Sequence, residues 1–165
     1  MPENRNGRAA HLRNLIAAHR PGWTLAQPFY TDLAIFALEL DTIFTPAWLY
    51  AGHVSRIPNP GDYFLYEIAR ESLILLRGED GQVHALANVC RHRGAQLCTA
   101  SSGHVHHLVC PYHQWVYRLD GTLQSARLMP EDFDKSRFGL HRAHVRVVEG
   151  FILVCLADEP PSLEP

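Results

Sequence analysis

Two short strings hold the residues best equipped for chemistry: Cys90-Arg91-His92-Arg93-Gly94 and Cys110-Pro111-Tyr112-His113-Gln114. Each offers one thiolate and one imidazole, one or two residues apart, so both can point from a single loop. Seventeen residues separate His92 from Cys110. Two thiolates and two imidazoles form a soft sulfur–nitrogen donor set. Such a set suits a tetrahedral zinc ion. It also suits a two-iron, two-sulfide cluster in which one iron takes the thiolates and the other the imidazoles. The single residue between Cys90 and His92 is short for a zinc finger, and no recognition helix or basic face follows, which favours iron and sulfide. Replacing two anionic thiolates with neutral imidazoles lowers the cluster's negative charge, so electron uptake costs less. The chemistry implied is one-electron transfer.

Such loops need a rigid support, and the pattern from Trp48 onward supplies one. Short β runs are expected at 48–53, 63–69, 72–78, 83–88, 107–109, 115–118, 145–148 and 151–156. Between them lie Pro58-Asn59-Pro60-Gly61, Gly78-Glu79-Asp80-Gly81, Ser101-Ser102-Gly103, Asp120-Gly121 and Glu149-Gly150, all turn-forming strings. The fold class predicted is mainly β, an antiparallel sandwich with two loop-bearing hairpins, preceded by N-terminal helices. Leu12, Leu15, Ile16 and His19 mark a helix over 8–20. Leu33, Phe36, Leu40 and Phe44 mark a second over 32–44, capped by Thr31 or Asp32 and stopped by Pro46. The expected division is 1–46 helical, 47–156 the metal-bearing β domain, and 157–165 a Pro-rich linker or truncation point.

Composition excludes several classes. The 165 residues are 47% hydrophobic and 19% charged with a net charge of −2, a globular balance without the basic excess of a nucleic-acid binder. No apolar run approaches the roughly 18 residues of a membrane span, and the N-terminus lacks a signal-like apolar core. A cytoplasmic protein with four thiols and no disulfide framework is expected.

The strings continue in a way that resembles a known family. Arg93-Gly94 after the first donor pair and Trp115 to Gly121 after the second are similar to the Rieske domain of non-haem iron ring-hydroxylating oxygenases, large (alpha) subunit. The likeness extends through Trp48, Gly52-His53, Ile57-Pro58 and Pro60 to Tyr63, and through Gly150 to Val154, covering most of 30–156. Within that family the text is most similar to the branch that demethylates glycine betaine and other quaternary ammonium compounds, partly through Gln114, where most ring hydroxylases carry Gly. The resemblance implies a Rieske 2Fe–2S cluster, with Cys90 and Cys110 on a buried inner iron and His92 and His113 on an outer one. It implies a mononuclear Fe(II) only in a catalytic domain beyond this sequence, in which no His-x4-His with a later Asp occurs. It also implies an NAD(P)H-dependent flavin/iron–sulfur reductase or ferredoxin as electron donor, and a homotrimer for the full-length protein. Respiratory Rieske proteins carry a disulfide between the loops; Ala95 and Tyr112 stand at those places here. A potential low in the Rieske range follows, roughly −150 mV. The competing readings are a stand-alone Rieske ferredoxin and a zinc-stabilised interaction module.

The other conspicuous residues read more plainly. Cys98 and Cys155 suit small core positions, and Trp115 and Tyr117 suit core positions under the loops. His104, His106 and His107 have no carboxylate at ligand spacing and fit a loop and strand start. His53, His141 and His144 read as structural or solvent-facing. Arg91 and Arg93 suit either donor docking or pairing with carboxylates.

Overall fold

The computed structural model describes residues 5–163. They fall into two compact units, divided between Pro46 and Ala47.

In the first unit, α1 (Arg5–Ala17), the single turn α2 (Pro28–Thr31) and α3 (Leu33–Glu39) follow in order. Asp32 is extended and separates α2 from α3; its carboxylate caps α3 by accepting the Ala34 N–H at 2.7 Å. The helix expected over 32–44 therefore starts as predicted but does not stay α-helical. It passes into a π-turn at Leu40–Phe44, closed by the Thr45 N–H donating to the Leu40 carbonyl at 2.9 Å. A π-turn inserts an extra residue and shifts the phase of the helix face. Already within α3, before that turn, the stripe Leu33, Phe36, Leu40 and Phe44 is not the buried one: Leu33 is 82% exposed, and Ile35 is the core residue. The first helix likewise ends at Ala17, leaving His19 beyond it and Ile16 exposed.

The second unit contains ten strands: β1 (Leu49–His53), β2 (Asp62–Ile68), β3 (Glu71–Arg77), β4 (Val83–Ala87), β5 (Ser102–His104), β6 (Leu108–Val109), β7 (Val116–Tyr117), β8 (Leu123–Ser125), β9 (His144–Val148) and β10 (Phe151–Cys155). They build three antiparallel sheets, in the orders β1-β10-β9, β4-β3-β2-β5 and β6-β7-β8. The middle sheet is apolar on both faces. Strand alternation sends Tyr63, Ile74, Leu76 and Leu86 into one core with Trp115, Tyr117, Leu108, Cys90 and Cys110. Their neighbours Phe64, Leu75, Val83 and Ala85 enter a second core with Ile152 and Val154. This is why Leu73 to Leu76 form an unbroken buried run instead of alternating. Each fully buried aliphatic or aromatic side chain contributes about 1.5–3 kcal/mol, so the sheet under the donor loops is anchored from both sides.

Two strands depart from the expectation. Ser101-Ser102-Gly103 reads as a turn, yet Ser102–His104 forms β5, pairing with Phe64, Tyr63 and Asp62 of β2. The free edge of β2 supplies the ladder bonds that the small residues could not demand by propensity. β8, also unanticipated, is the return arm after the Asp120-Gly121 turn, pairing with β7.

Candidate metal centre

The first donor loop leaves β4 at Ala87 and is pinched by a bridge between Val89 and Gln96. The second is the β6–β7 hairpin. Both fold the same way. The Cys90 N–H donates to the Ala95 carbonyl at 2.8 Å and the Gly94 N–H returns to the Cys90 carbonyl at 2.9 Å. In the second loop the Cys110 N–H donates to the Trp115 carbonyl at 2.8 Å and the Gln114 N–H returns to the Cys110 carbonyl at 3.0 Å. The residue that turns each loop is left-handed: Gly94 at φ 71° and Gln114 at φ 57°. Glycine does this freely; Gln114 does it while its side-chain carbonyl accepts from Arg127. A Cβ at Gly94 would meet nothing within 4 Å, so the polypeptide needs glycine there for its φ and not for space.

Two side chains tie the loops to the sheets. Among the described residues Asn88, 1% exposed, is the buried polar one, and it lies beside the first loop. Its amide donates to the Cys98 carbonyl at 2.8 Å and to Ser72 Oγ at 3.2 Å. Its carbonyl accepts the N–H groups of Leu97 and Cys98 at 3.1 and 2.8 Å. The first loop is thereby clamped at its exit. Tyr117 enters from β7, fully buried, and its hydroxyl lies 3.2 Å from Cys90 Sγ while accepting the Arg91 N–H at 3.0 Å. Burial and the adjacent Cys90 push the Tyr117 phenol far up, so it stays protonated and can donate to the sulfur once that sulfur is a thiolate.

The four donors pair by type. Cys90 and Cys110 are each 1% exposed and close enough to interact. Burial raises the Cys90 thiol above its ordinary value, with Cys110 adding to it; the Tyr117 hydroxyl and the His92 N–H act in the opposite sense. Two neighbouring buried thiolates persist only beside a cation. His92 and His113 are half-buried, with ring centroids 4.6 Å apart. Burial, then His92 and Arg93, lower the His113 pKa, which keeps that ring neutral as a ligand must be. Among the described residues no group of three or more His, Cys, Asp or Glu side chains stands where one metal ion could take them all. A thiol pair and an imidazole pair match the two ends of a two-iron cluster better than one tetrahedron.

A further observation bears on the fit. Among the described residues, the buried side-chain nitrogens and oxygens without a hydrogen-bond partner are His92 Nδ1, His113 Nδ1, Arg91 Nε and Trp115 Nε1. All belong to the two loops or the residue closing the second. Such orphans cost about 1–3 kcal/mol each, and their concentration here fits a non-protein group bound through the two imidazole Nδ1 atoms.

The remaining candidates take ordinary places, with exceptions. None of the four cysteines forms a disulfide, and Cys98 and Cys155 are buried core residues. His104 lies on β5 and does meet a carboxylate in space, Asp62 Oδ1 at 2.8 Å, which spacing along the chain could not reveal. His106 packs edge-on against His104, 5.3 Å between centroids. His53 is held by Ser55, and His144 reaches the Asp158 carbonyl. Arg91 contacts His141 instead of a carboxylate, and among the described residues no ion pair joins Arg93 to one. Reading Trp115 and Tyr117 as core alone is incomplete: both are buried, but Tyr117 addresses Cys90 and Trp115 lies flat on His92. Their shared strand phase placed both beneath the loops; the specific contacts required the fold.

Comparison with known proteins agrees with this geometry. Residues 47–148 match the family described as the Rieske [2Fe-2S] domain. Over 142 residues the chain is 48% identical to the glycine betaine monooxygenase oxygenase subunit of Chromohalobacter salexigens, covering 86% of this chain and 32% of that protein. It is 34% identical over 153 residues to the carnitine monooxygenase oxygenase subunit of Escherichia coli, covering 92% and 41%. Its fold superimposes on naphthalene 1,2-dioxygenase from Rhodococcus with a TM-score of 0.85 at 30% identity, covering 98% of this chain and 38% of that one. The chain thus spans about a third to two-fifths of the length of these relatives. Two donor loops of matching geometry, a thiol pair, an imidazole pair and this similarity lead to one assignment: the chain belongs to the Rieske [2Fe-2S] domain family.

Proposed function

We propose that this chain is the electron-transfer part of a Rieske oxygenase, with Cys90 and Cys110 holding one iron of the cluster and His92 and His113 the other. The observation that carries the ligand assignment is the pair of orphaned, buried Nδ1 atoms beside two buried thiols. Such a cluster, when bound, takes up and returns one electron at a time. The polypeptide's part is to keep the thiolates dry, to present the half-buried imidazoles toward the surface, and to aim the Tyr117 hydroxyl at Cys90. The donor is a reductase or ferredoxin, and the acceptor is a mononuclear iron in a catalytic domain of the kind that accounts for the relatives' greater length. The cluster-bearing domain is 47–156, in a cytoplasmic homotrimer. Among the described residues no helix is long and apolar enough to cross a membrane.

For the whole protein, oxidative N-demethylation of a quaternary ammonium compound is favoured by the 48% identity to a glycine betaine monooxygenase subunit, against 39% to a naphthalene 1,2-dioxygenase large component. The stand-alone ferredoxin reading is weaker, because the superposition on the Rhodococcus dioxygenase takes in 98% of the chain, N-terminal helices included. The test is to incubate the protein with reductase, NADH, ferrous iron, oxygen and a panel of quaternary amines and aromatics. The cluster should be reduced without product, and His113→Ala should abolish normal cluster reduction. Product formation matching NADH consumption by the 165 residues alone would refute the division of labour.

A further inference from the structure

The two imidazoles each meet an aromatic ring, in different ways. His92 lies flat on Trp115, 4.8 Å between centroids and 8° between planes. His113 lies against Tyr112, 3.8 Å away and tilted by 35°. Trp115 is 1% exposed and Tyr112 60%. His92 is therefore oriented from the core and His113 from the surface.

Trp115 is itself held in place. Phe133 and Phe138 meet it edge-on, at 5.6 and 5.9 Å, and lie 4.6 Å from each other. Both come from the connection between β8 and β9, which supplies no candidate donor. The indole nitrogen has no hydrogen-bond partner, so ring packing is what fixes the indole. Trp115 also joins the two loops: its carbonyl closes the second by accepting from the Cys110 N–H, while its ring faces His92 of the first.

We propose that Trp115, backed by Phe133 and Phe138, is a positioning residue that sets the plane of the His92 ring and, through it, the electronic character of the cluster. The inference rests on the reading of His92 as a ligand. An imidazole turns easily about its last side-chain torsion, which has broad, roughly two-fold wells. A stacked aromatic partner biases those orientations by roughly 2- to 10-fold in population. Ring orientation is one of the quantities by which outer groups tune a bound metal. The connection carrying Phe133 and Phe138 is thus part of the electron-transfer site although it supplies none of the four candidate ligands.

The test compares holo-proteins with wild-type sequence, Trp115→Phe, Trp115→Leu, Phe138→Leu and His92→Cys, each measured for iron and labile sulfide, reduced-state EPR g-values and midpoint potential. Trp115→Leu should keep its iron while its g-values and potential move; Trp115→Phe, which retains a flat ring, should restore them toward wild type. Phe138→Leu should move them in the same direction by less. If Trp115→Leu loses its iron, Phe138→Leu decides: altered g-values uphold the proposal and unaltered ones overturn it. Wild-type g-values and potential in an iron-replete Trp115→Leu protein also overturn it. A wild-type spectrum from His92→Cys would instead sink the ligand reading, so the two failures are distinct.

Discussion

Tyr117→Phe removes one oxygen from a fully buried ring and leaves the packing intact, which makes its consequences calculable. The hydroxyl faces Cys90 Sγ at 3.2 Å and accepts from the Arg91 N–H at 3.0 Å. Burial and Cys90 hold the phenol protonated, so against a thiolate ligand, which can only accept, the hydroxyl is the donor. A donor to a cluster sulfur favours the reduced, more negative state. If that bond is worth about 1 kcal/mol more to the reduced state, its loss lowers the potential by roughly 40 mV, since about 59 mV and about 1.4 kcal/mol both correspond to tenfold for one electron. The orphaned Arg91 N–H should also cost about 1 kcal/mol of folding stability. Protein-film voltammetry measures the first effect and denaturant unfolding the second. A Tyr117→Phe protein with full iron content and an unchanged or raised potential would refute the assignment of Tyr117 as a donor to a cluster ligand.

Other outcomes follow from the same geometry. Asn88→Ala deletes four hydrogen bonds, three to the exit of the first loop and one to Ser72; at about 0.5–1.5 kcal/mol each, unfolding should become easier by roughly 2–6 kcal/mol, with poor cluster retention by absorbance. Gly94→Ala meets open space and only a left-handed φ, so it should cost about 1 kcal/mol. Gly150→Ala adds a Cβ that collides with the His53 imidazole at φ 82° and should cost distinctly more, both measured by denaturant unfolding. His104, Asn59 and the Asn59 N–H hold the Asp62 carboxyl below its ordinary value. A depressed carboxyl stabilises the fold above the ordinary Asp range and loses that contribution as pH falls through its lowered value. The acid-side fall in Tm should therefore be shallower in Asp62→Asn.

Legibility in the sequence followed the range of the interactions. β2, β3 and β10 could be read because apolar runs bounded by turn residues are a local pattern. The two donor strings stood out for the same reason, each being complete within a few residues. What escaped depends on partners distant in sequence. β5 is a strand because the edge of β2 receives it, and the π-turn at Leu40–Phe44 overrides an apolar stripe that looked continuous. Asn88 closes the β run expected over 83–88, and nothing local marks it as the clamp; its partners Leu97 and Cys98 come within reach of its amide only in the fold. Tyr117 and Trp115 were visible as buried aromatics, but their partners Cys90 and His92 lie on the other loop, joined only by the tertiary fold.

The central claim, that Cys90, His92, Cys110 and His113 together hold a two-iron, two-sulfide cluster, is tested most directly by iron and labile-sulfide analysis with reduced-state EPR on anaerobically purified cysteine variants. Wild type, Cys98→Ser and Cys155→Ser should each contain iron and sulfide in equal amounts and give one Rieske-type signal, while Cys90→Ser and Cys110→Ser should lose most of both. Stoichiometric zinc without labile sulfide in the wild type, or a Cys98→Ser protein that bleaches while Cys90→Ser stays coloured, would contradict it.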